Sequence, residues 1–325
     1  MGKFSTQAAA VLVQDDATPE AFWRKRLELE RRYRMTEGDE DDFHSARKAW
    51  WVRAIKTTLR LSGLYARGRR NAMRPVLKHV ALPIERLPEA LDGLRILHLS
   101  DFHFRQRAPQ FAETAAACLD GAAADLCVMT GDFRFGYFGP SDHVLEQLAT
   151  VLRGVSIREG NYAVLGNHDV SVLRDSLEDM GVRVLVNAGE AVAVGDATLW
   201  IGGVDDPHDF ECASVPHAMR HAPNDAFRIL LAHTPEVVYE ARAHGVALCL
   251  CGHTHGGQVR FPFIGAIESN ARGAPRQCLM GPWRLGEMFG HTSIGLGTTD
   301  LPVRYNCPPE ATLLTLRRVE SGDTL

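Results

Sequence analysis

Five short polar clusters carry most of the chemical potential of this 325-residue chain: Asp101-Phe102-His103, Gly131-Asp132, Gly166-Asn167-His168-Asp169, His233 and Gly252-His253-Thr254-His255. Carboxylate oxygen, imidazole nitrogen and amide oxygen together suit borderline divalent ions such as Mn²⁺, Fe²⁺ and Zn²⁺, with Mg²⁺ as a further option. One carboxylate, Asp132, could bridge two such ions. Two ions held about 3.5–4 Å apart polarise a phosphoryl group and generate hydroxide near neutral pH. A lone histidine or aspartate is usually structural, so the weight lies on the set. His98, inside an apolar run, reads as a satisfied core histidine. His143, His208, His217, His221, His244 and His291 have no motif context and read as surface or loop. Asp205-Asp206 ends another strand, so it either approaches the site or, as the favoured reading, forms a loop turn.

The elements that must position these clusters follow from hydrophobic periodicity. Short apolar runs at Arg95–Leu99, Leu126–Met129, Tyr162–Leu165, Thr198–Ile201, Arg228–Leu231, Ala247–Leu250 and Leu313–Leu316 read as buried strands. Helical patterns over Pro109–Ala123 and Asp142–Arg153 alternate with them, which indicates an α/β domain. Each polar cluster begins where an apolar run ends, and ligands in open α/β sheets bind at the carboxyl ends of strands. The five clusters are therefore expected to converge.

The ordered series D-x-H, G-D, G-N-H-D, H and G-H-x-H resembles the calcineurin-like metallophosphoesterases over roughly Leu94 to Arg318. The resemblance implies a β-sandwich flanked by helices, with the motifs on loops at one edge. It implies that Asp101, His103, Asp132 and His255 bind one metal, and that Asp132, Asn167, His233 and His253 bind the second. His168 would contact the phosphate and protonate the leaving oxygen, with Asp169 orienting it. Gly252-His253-Thr254-His255-Gly256-Gly257-Gln258, Gly297–Tyr305 and Pro308-Pro309-Glu310 are similar to the bacterial membrane-associated YkuE-type branch. Some members of this broad group cleave UDP-2,3-diacylglucosamine. Close relatives often carry an N-terminal membrane helix or export signal, which is not evident here. Arg304, in the second of these stretches, reads either as a substrate-phosphate contact or as a surface ion pair.

The amino-terminal part has a different character. Residues 1–88 read as a charged helical extension ahead of a catalytic domain over 89–325. Glu20–Tyr33 is helical, Gly38–Asp42 is an acidic loop, a second helix runs from near Phe43 to about Ala66, and Pro83 and Pro88 mark a linker. Phe43 to Ile84 contains ten Lys/Arg and no acid, which leaves the rest of the chain at −14 against −4 overall. At 100° per residue, Trp50, Trp51, Ala54, Ile55, Leu59 and Leu61 share a broad face, with Arg53, Lys56, Arg60 and Arg67 in a stripe opposite. Such a helix over residues 43–67 either lies on an anionic membrane or packs its tryptophans on the domain.

No stretch of eighteen apolar residues and no convincing signal peptide is present, so the expectation is a cytoplasmic protein, peripheral on the membrane if attached at all. The seven cysteines follow no disulfide framework, which fits a reducing compartment. The composition, 45 % hydrophobic, excludes a disordered chain. The reading is a dimetal hydrolase of a phosphodiester or pyrophosphate in a phosphate-containing small molecule, lipid or lipid-nucleotide. A nuclease or nucleotide phosphodiesterase is the alternative enzyme. Nucleic acid is disfavoured, because the basic residues form a helix stripe with tryptophans rather than a groove with spaced aromatics. A non-catalytic scaffold would have lost ligands, and none is lost.

Overall fold

The computed structural model describes residues 18–38, 46–266 and 271–319; the side chains of 46–49, 51 and 52 lie outside that description. In chain order the helices are α1 (Pro19–Tyr33), α2 (Ala46–Leu61), α3 (Leu64–Ala72), α4 (Gln110–Leu119), α5 (Asp142–Leu152), α6 (Val172–Asp179), α7 (Val215–Met219) and α8 (Val238–Ala243). The strands are β1 (Val76–Glu85), β2 (Arg95–Leu99), β3 (Ala123–Met129), β4 (Ser156–Ala163), β5 (Val182–Val184), β6 (Ala188–Val194), β7 (Ala197–Gly203), β8 (Phe227–Leu231), β9 (Leu248–Cys251), β10 (Arg260–Phe261), β11 (Gly265–Ala266), β12 (Gly281–Leu285), β13 (Met288–Thr292) and β14 (Glu310–Val319).

Two six-stranded sheets result, ordered β1-β14-β2-β3-β4-β5 and β12-β13-β9-β8-β7-β6, with a separate β10-β11 hairpin. Within them β2, β3 and β4 run parallel, as do β7, β8 and β9. Period-two alternation sorts each central strand between two cores. Ile96, Leu126, Val128, Ile229, Leu231, Leu248 and Leu250 pack between the sheets. Leu97, Leu99, Cys127 and Met129 face outward into a core shared with α4, α5 and α6. Leu230, Cys249 and Cys251 face the opposite way, onto α7 and α8. Strands covered on both faces read as continuous apolar runs, which is why β2, β3, β8 and β9 were visible in the sequence. The result is the expected α/β sandwich of two sheets flanked by helices.

The stretch read as a linker at Pro83 and Pro88 is corrected: Val76–Glu85 is strand β1, parallel to β14 over ten residue pairs. Pro83 is tolerated because β1 is the edge of its sheet, where a missing backbone N–H costs no ladder bond. The helix expected from Phe43 to Ala66 is two helices. Gly63, at φ 71°, breaks it, and Arg67–Arg70 continue as part of α3 instead of ending a helix. Gly68 lets α3 lie against the chain near residue 304, since a Cβ there would come within 2.7 Å of Val303 and Tyr305. The stripe of four basic residues is thereby divided, with Arg67 on α3. The helix start near Phe43, most of the acidic loop and the Trp51 side chain fall outside the described residues.

Candidate metal centre

Parallel strands place their carboxyl ends on one edge, and the motif loops leave from those ends. Asp101 and His103 follow β2, Asp132 follows β3, Asn167 and His168 follow β4, His233 follows β8, and His253 and His255 follow β9. All are buried. Asp101, His103, Asp132, His253 and His255 have φ between 46° and 69°, a left-handed backbone that costs a non-glycine residue of order 1 kcal/mol or more and that concentrates at functional sites. The loops carrying Asp132 and Asn167 cross at two glycines. A Cβ on Gly131 would lie 2.6 Å from the Gly166 nitrogen, and one on Gly166 would lie 2.3 Å from Asp132 Oδ1. That crossing is the physical content of the glycines in the G-D and G-N-H-D motifs.

The donor atoms converge in two groups that share Asp132. His103 Nε2 lies 2.9 Å from His255 Nε2 and 3.4 Å from Asp132 Oδ2, and His255 Nε2 lies 3.3 Å from Asp101 Oδ1. On the other side His233 Nε2 lies 3.3 Å from Asp132 Oδ2, 3.0 Å from Asn167 Oδ1 and 3.1 Å from His253 Nδ1. Ligand atoms about 2.0–2.2 Å from an ion sit roughly 3–3.5 Å from one another, which is the spacing seen. Asp132 Oδ2 stands between His103 and His233, the position a bridging carboxylate must hold.

The hydrogen bonds behind these atoms show that the set fits a cation. The Asn167 amide donates through Nδ2 to Tyr137 Oη and Asp209 Oδ2, both at 2.8 Å, which leaves Oδ1 facing inward as an acceptor. His233 Nδ1 lies 2.7 Å from the Thr130 carbonyl and donates to it, so the neutral ring turns a lone pair on Nε2 toward Asn167 Oδ1 and Asp132 Oδ2. Acceptor atoms facing one another at 3.0 and 3.3 Å favour a cation between them. In the metal-free protein a proton takes that part: burial opposes it, but the facing Asp132 carboxylate raises His233 to about 10. Burial raises Asp101 to about 7 and lowers His103 to about 4. Burial would also raise Asp132, yet the facing His233 and His168 hold it well below the usual carboxylate range.

His168 stands at the rim with Nε2 4.0 Å from Asp132 Oδ2, its ring 4.0 Å from that of Tyr137. Its Nδ1 donates to the Gly136 carbonyl at 2.8 Å, which leaves Nε2 directed at the centre. Asp169 has a different role from the one expected. Its carboxylate accepts the backbone amides of Asp132, Phe133, Arg134 and Gly166, so it fixes the loop that presents Asp132 while Gly136 orients the His168 ring.

Arg304 also departs from expectation. It is fully buried, and its guanidinium donates to the carbonyls of Ile294, Gly295 and Gly297, with Nη2 3.3 Å from His255 Nδ1. It braces the His255 loop from behind and does not face the site.

Several residues near the centre were not anticipated. Tyr137 Oη and Asp209 Oδ2 are 3.0 Å apart and hold Asn167 together. The His208 ring lies 4.5 Å from the His253 ring, with Nδ1 2.6 Å from Glu236 Oε1. Burial opposes a charge on His208, but Glu236 and Asp209 keep its pKa above the usual histidine value. Asp206 accepts the amides of His208, Asp209 and Phe210, making the β7 end a sixth strand-end cluster. The run Asp205-Asp206-Pro207-His208-Asp209 was the available signal. His208, His217 and His291, read as surface or loop, are buried; His98 is the core residue expected, with Nδ1 3.0 Å from His291 Nδ1.

Arg26, on α1, reaches beneath the Asn167 loop. It is fully buried, pairs with Asp205 and Glu30, and donates to the carbonyls of Asp169 at 2.7 Å and Gly166 at 3.3 Å. Glu30 in turn accepts from the amide and hydroxyl of Ser171.

A sandwich with two histidine-carboxylate groups sharing an aspartate at its strand-end edge defines the class: a metal-dependent phosphoester hydrolase. Comparison with known proteins gives the family. The calcineurin-like phosphoesterase model matches residues 94–257, and the chain belongs to that family. It is 28 % identical over 243 residues to the metallophosphoesterase YkuE of Bacillus subtilis, covering 71 % of this chain and 82 % of that one. It is 30 % identical over 230 residues to the phosphodiesterase YaeI of Escherichia coli, covering 68 % and 82 %. A Danio rerio transmembrane protein with a metallophosphoesterase domain is 29 % identical over 269 residues, 76 % of this chain and 58 % of that one. No helix among the described residues of the present chain is long and apolar enough to cross a membrane.

Proposed function

We propose that this chain hydrolyses a phosphodiester or pyrophosphate bond of a lipid or lipid-linked nucleotide, a UDP-2,3-diacylglucosamine-like molecule being the type, at an anionic membrane surface. The observation that carries the hydrolytic reading is Asp132 Oδ2 placed between His103 and His233. Asp101, His103, Asp132 and His255 would hold one divalent ion and Asp132, Asn167, His233 and His253 the other, with Mn²⁺ the preferred metal. When bound, the ions supply Lewis acidity toward the phosphoryl oxygens and activation of water. His168 is anchored through Nδ1 by Gly136, so a proton on Nε2 faces the Asp132 side of the centre and would be available to a leaving oxygen held there. Asp169 keeps Asp132 in place through the backbone, and Tyr137 with Asp209 does so for Asn167.

A lipid portion is supported by what lies beside the centre. A small, open cleft of about 70 Å³ lies between His103 and α3. Its lining combines Arg69 and Arg105 with Met73, Phe111 and Pro302, a mixture suited to a phosphate carrying an apolar group. The name of the Escherichia coli relative, a phosphodiesterase, points to the same bond class.

The test is a panel of phosphodiesters, nucleoside-diphosphate lipids and phosphomonoesters assayed with Mn²⁺, on wild type and two variants. Asp132→Ala is expected to retain less than about 1 % of turnover and to lose metal. His168→Ala is expected to keep its metal and lose about 10²–10⁴-fold, with a smaller loss for p-nitrophenyl esters, whose leaving group needs no proton. Full metal content with near-normal turnover in Asp132→Ala overturns the reading.

A further inference from the structure

The exposed apolar side chains fall largely into two groups. Trp50, Ile55, Leu61 and Leu64 belong to α2 and the start of α3, at 59 %, 44 %, 85 % and 42 % exposure. Phe261, Phe263 and Ile264 belong to the β10-β11 hairpin, and Phe263 and Ile264 are exposed to 109 % and 76 %. An aromatic-Pro-aromatic-Ile tip held in water is costly, since each large apolar side chain left exposed forgoes the free energy of its burial. The tip is not merely slack chain. Phe263 sits at φ 67°, a left-handed conformation that a bulky residue rarely adopts, and the paired residues Arg260–Ala266 and Phe261–Gly265 fix its base.

The two groups meet at one residue. Tyr305 donates its hydroxyl to the Leu64 carbonyl, donates its amide to Gln258 at 3.0 Å, and accepts the amide of Arg260 at 3.0 Å. The corner between α2 and α3 and the base of the hairpin are therefore tied to the same loop. Arg53, Arg60, Arg67 and Arg69, all exposed, accompany the apolar group on α2 and α3. Exposed aromatic and aliphatic residues beside a concentration of arginine match an anionic bilayer, where the apolar tip enters the headgroup–acyl boundary and the arginines meet lipid phosphate.

We infer that the hairpin tip Phe261–Ile264 is a membrane-inserting element that, together with the α2–α3 corner, docks the enzyme on anionic lipid. The inference rests on the membrane reading of the proposed function and adds the element that sets orientation. The hairpin begins five residues after His255, so its insertion places the metal centre at a fixed attitude to the bilayer. Lipid substrate then enters from the membrane plane.

The experiment uses the full chain with vesicles of phosphatidylcholine, with and without phosphatidylglycerol. Wild type is expected to sediment with the anionic vesicles at low salt. The double variant Phe263→Ser/Ile264→Ser is expected to partition about tenfold or more weakly, while hydrolysing a water-soluble p-nitrophenyl ester at the wild-type rate, which shows that it is folded. Independently, a Phe263→Trp variant is expected to show an added blue-shifted emission with anionic vesicles. Wild-type binding with no loss in the double variant and no shift in Phe263→Trp overturns the hairpin inference and leaves the membrane reading standing. Absence of wild-type binding overturns both. Self-association of wild type without vesicles, abolished in the double variant, assigns the tip to a second copy of the chain and also overturns the inference.

Discussion

Helices α1 and α2 invert the usual expectation of what is buried. α1 is strongly charged, yet Arg26 and Glu30 are among its most buried side chains. α2 carries tryptophan, isoleucine and leucine, yet Trp50, Ile55 and Leu61 are exposed. The difference lies in partners. Arg26 meets Asp205, Glu30 and the carbonyls of Gly166 and Asp169, which compensate for its desolvation. On α2, Ile55 and Leu61 stay largely open to solvent. Hydropathy records what a residue prefers to leave; the structure records whether something was there to receive it. α1 thus belongs to the metal edge, and α2 to the outward face.

That contrast can be broken at several points. The largest expected effect is from Arg26→Ala, which leaves Asp205 and Glu30 buried without their cation; breaking such a pair costs about 3–5 kcal/mol. Urea unfolding should show that loss, accompanied by reduced turnover as the Asn167-His168 loop loses its support. Arg26→Lys should recover only part of both, because an ammonium cannot span the same acceptors. Unchanged stability in Arg26→Ala would detach α1 from the metal edge.

A second, intermediate effect concerns metal removal. In the metal-free protein the protonated His233 contributes stability that is fully present below about 6.5 and fades as pH rises through about 10. Asp101 acts in the same direction at lower pH. Its folded pKa of about 7 lies above the unfolded value of about 3.9, so burying it destabilises increasingly from pH 4 to 7. Bound ions supply the missing positive charge at any of these values, and their binding favours deprotonated ligands. The gap in Tm between metal-loaded and chelator-treated protein should therefore widen from pH 6 to 9. A constant gap would mean that the metal-free site holds its charges by other means.

The smallest effect is expected on α2. Arg53→Glu/Arg60→Glu should change stability by no more than about 0.5 kcal/mol, as exposed charges do, and should leave turnover of water-soluble esters unchanged. A large loss of stability would show that α2 packs as α1 does.

The candidate ligand residues were legible because each lies in a short motif at the end of an apolar run, and parallel strands carry such ends to one edge. Arg26, Tyr137 and Glu236 were not, because they reach the site from chain positions without a motif, through hydrogen bonds that exist only once the fold is formed. β1 escaped because Pro83 signals a break unless the strand lies at an edge, which depends on β14 more than two hundred residues later. β12 and β13 are short and contain Gly281, Pro282 and Gly290, so local pattern argued against them. Arg304 was read from its charge; its burial among carbonyls depends on the loop from Ile294 to Gly297, which no local pattern reveals.

The left-handed backbone at Asp101, His103, Asp132, His253 and His255 has a consequence for how the molecule tolerates change. Five such positions at about 1 kcal/mol or more each sum to an amount comparable to the whole stability of an ordinary domain. The ligand loops therefore depend on the hydrogen bonds from Asp169, Arg26 and Arg304 that hold them, and they are expected to relax when that support is withdrawn. A destabilising substitution far from the edge will register as weakened metal retention while the sandwich is still folded. Inherited or engineered variation in the core would then surface as an altered demand for metal before it surfaced as unfolding.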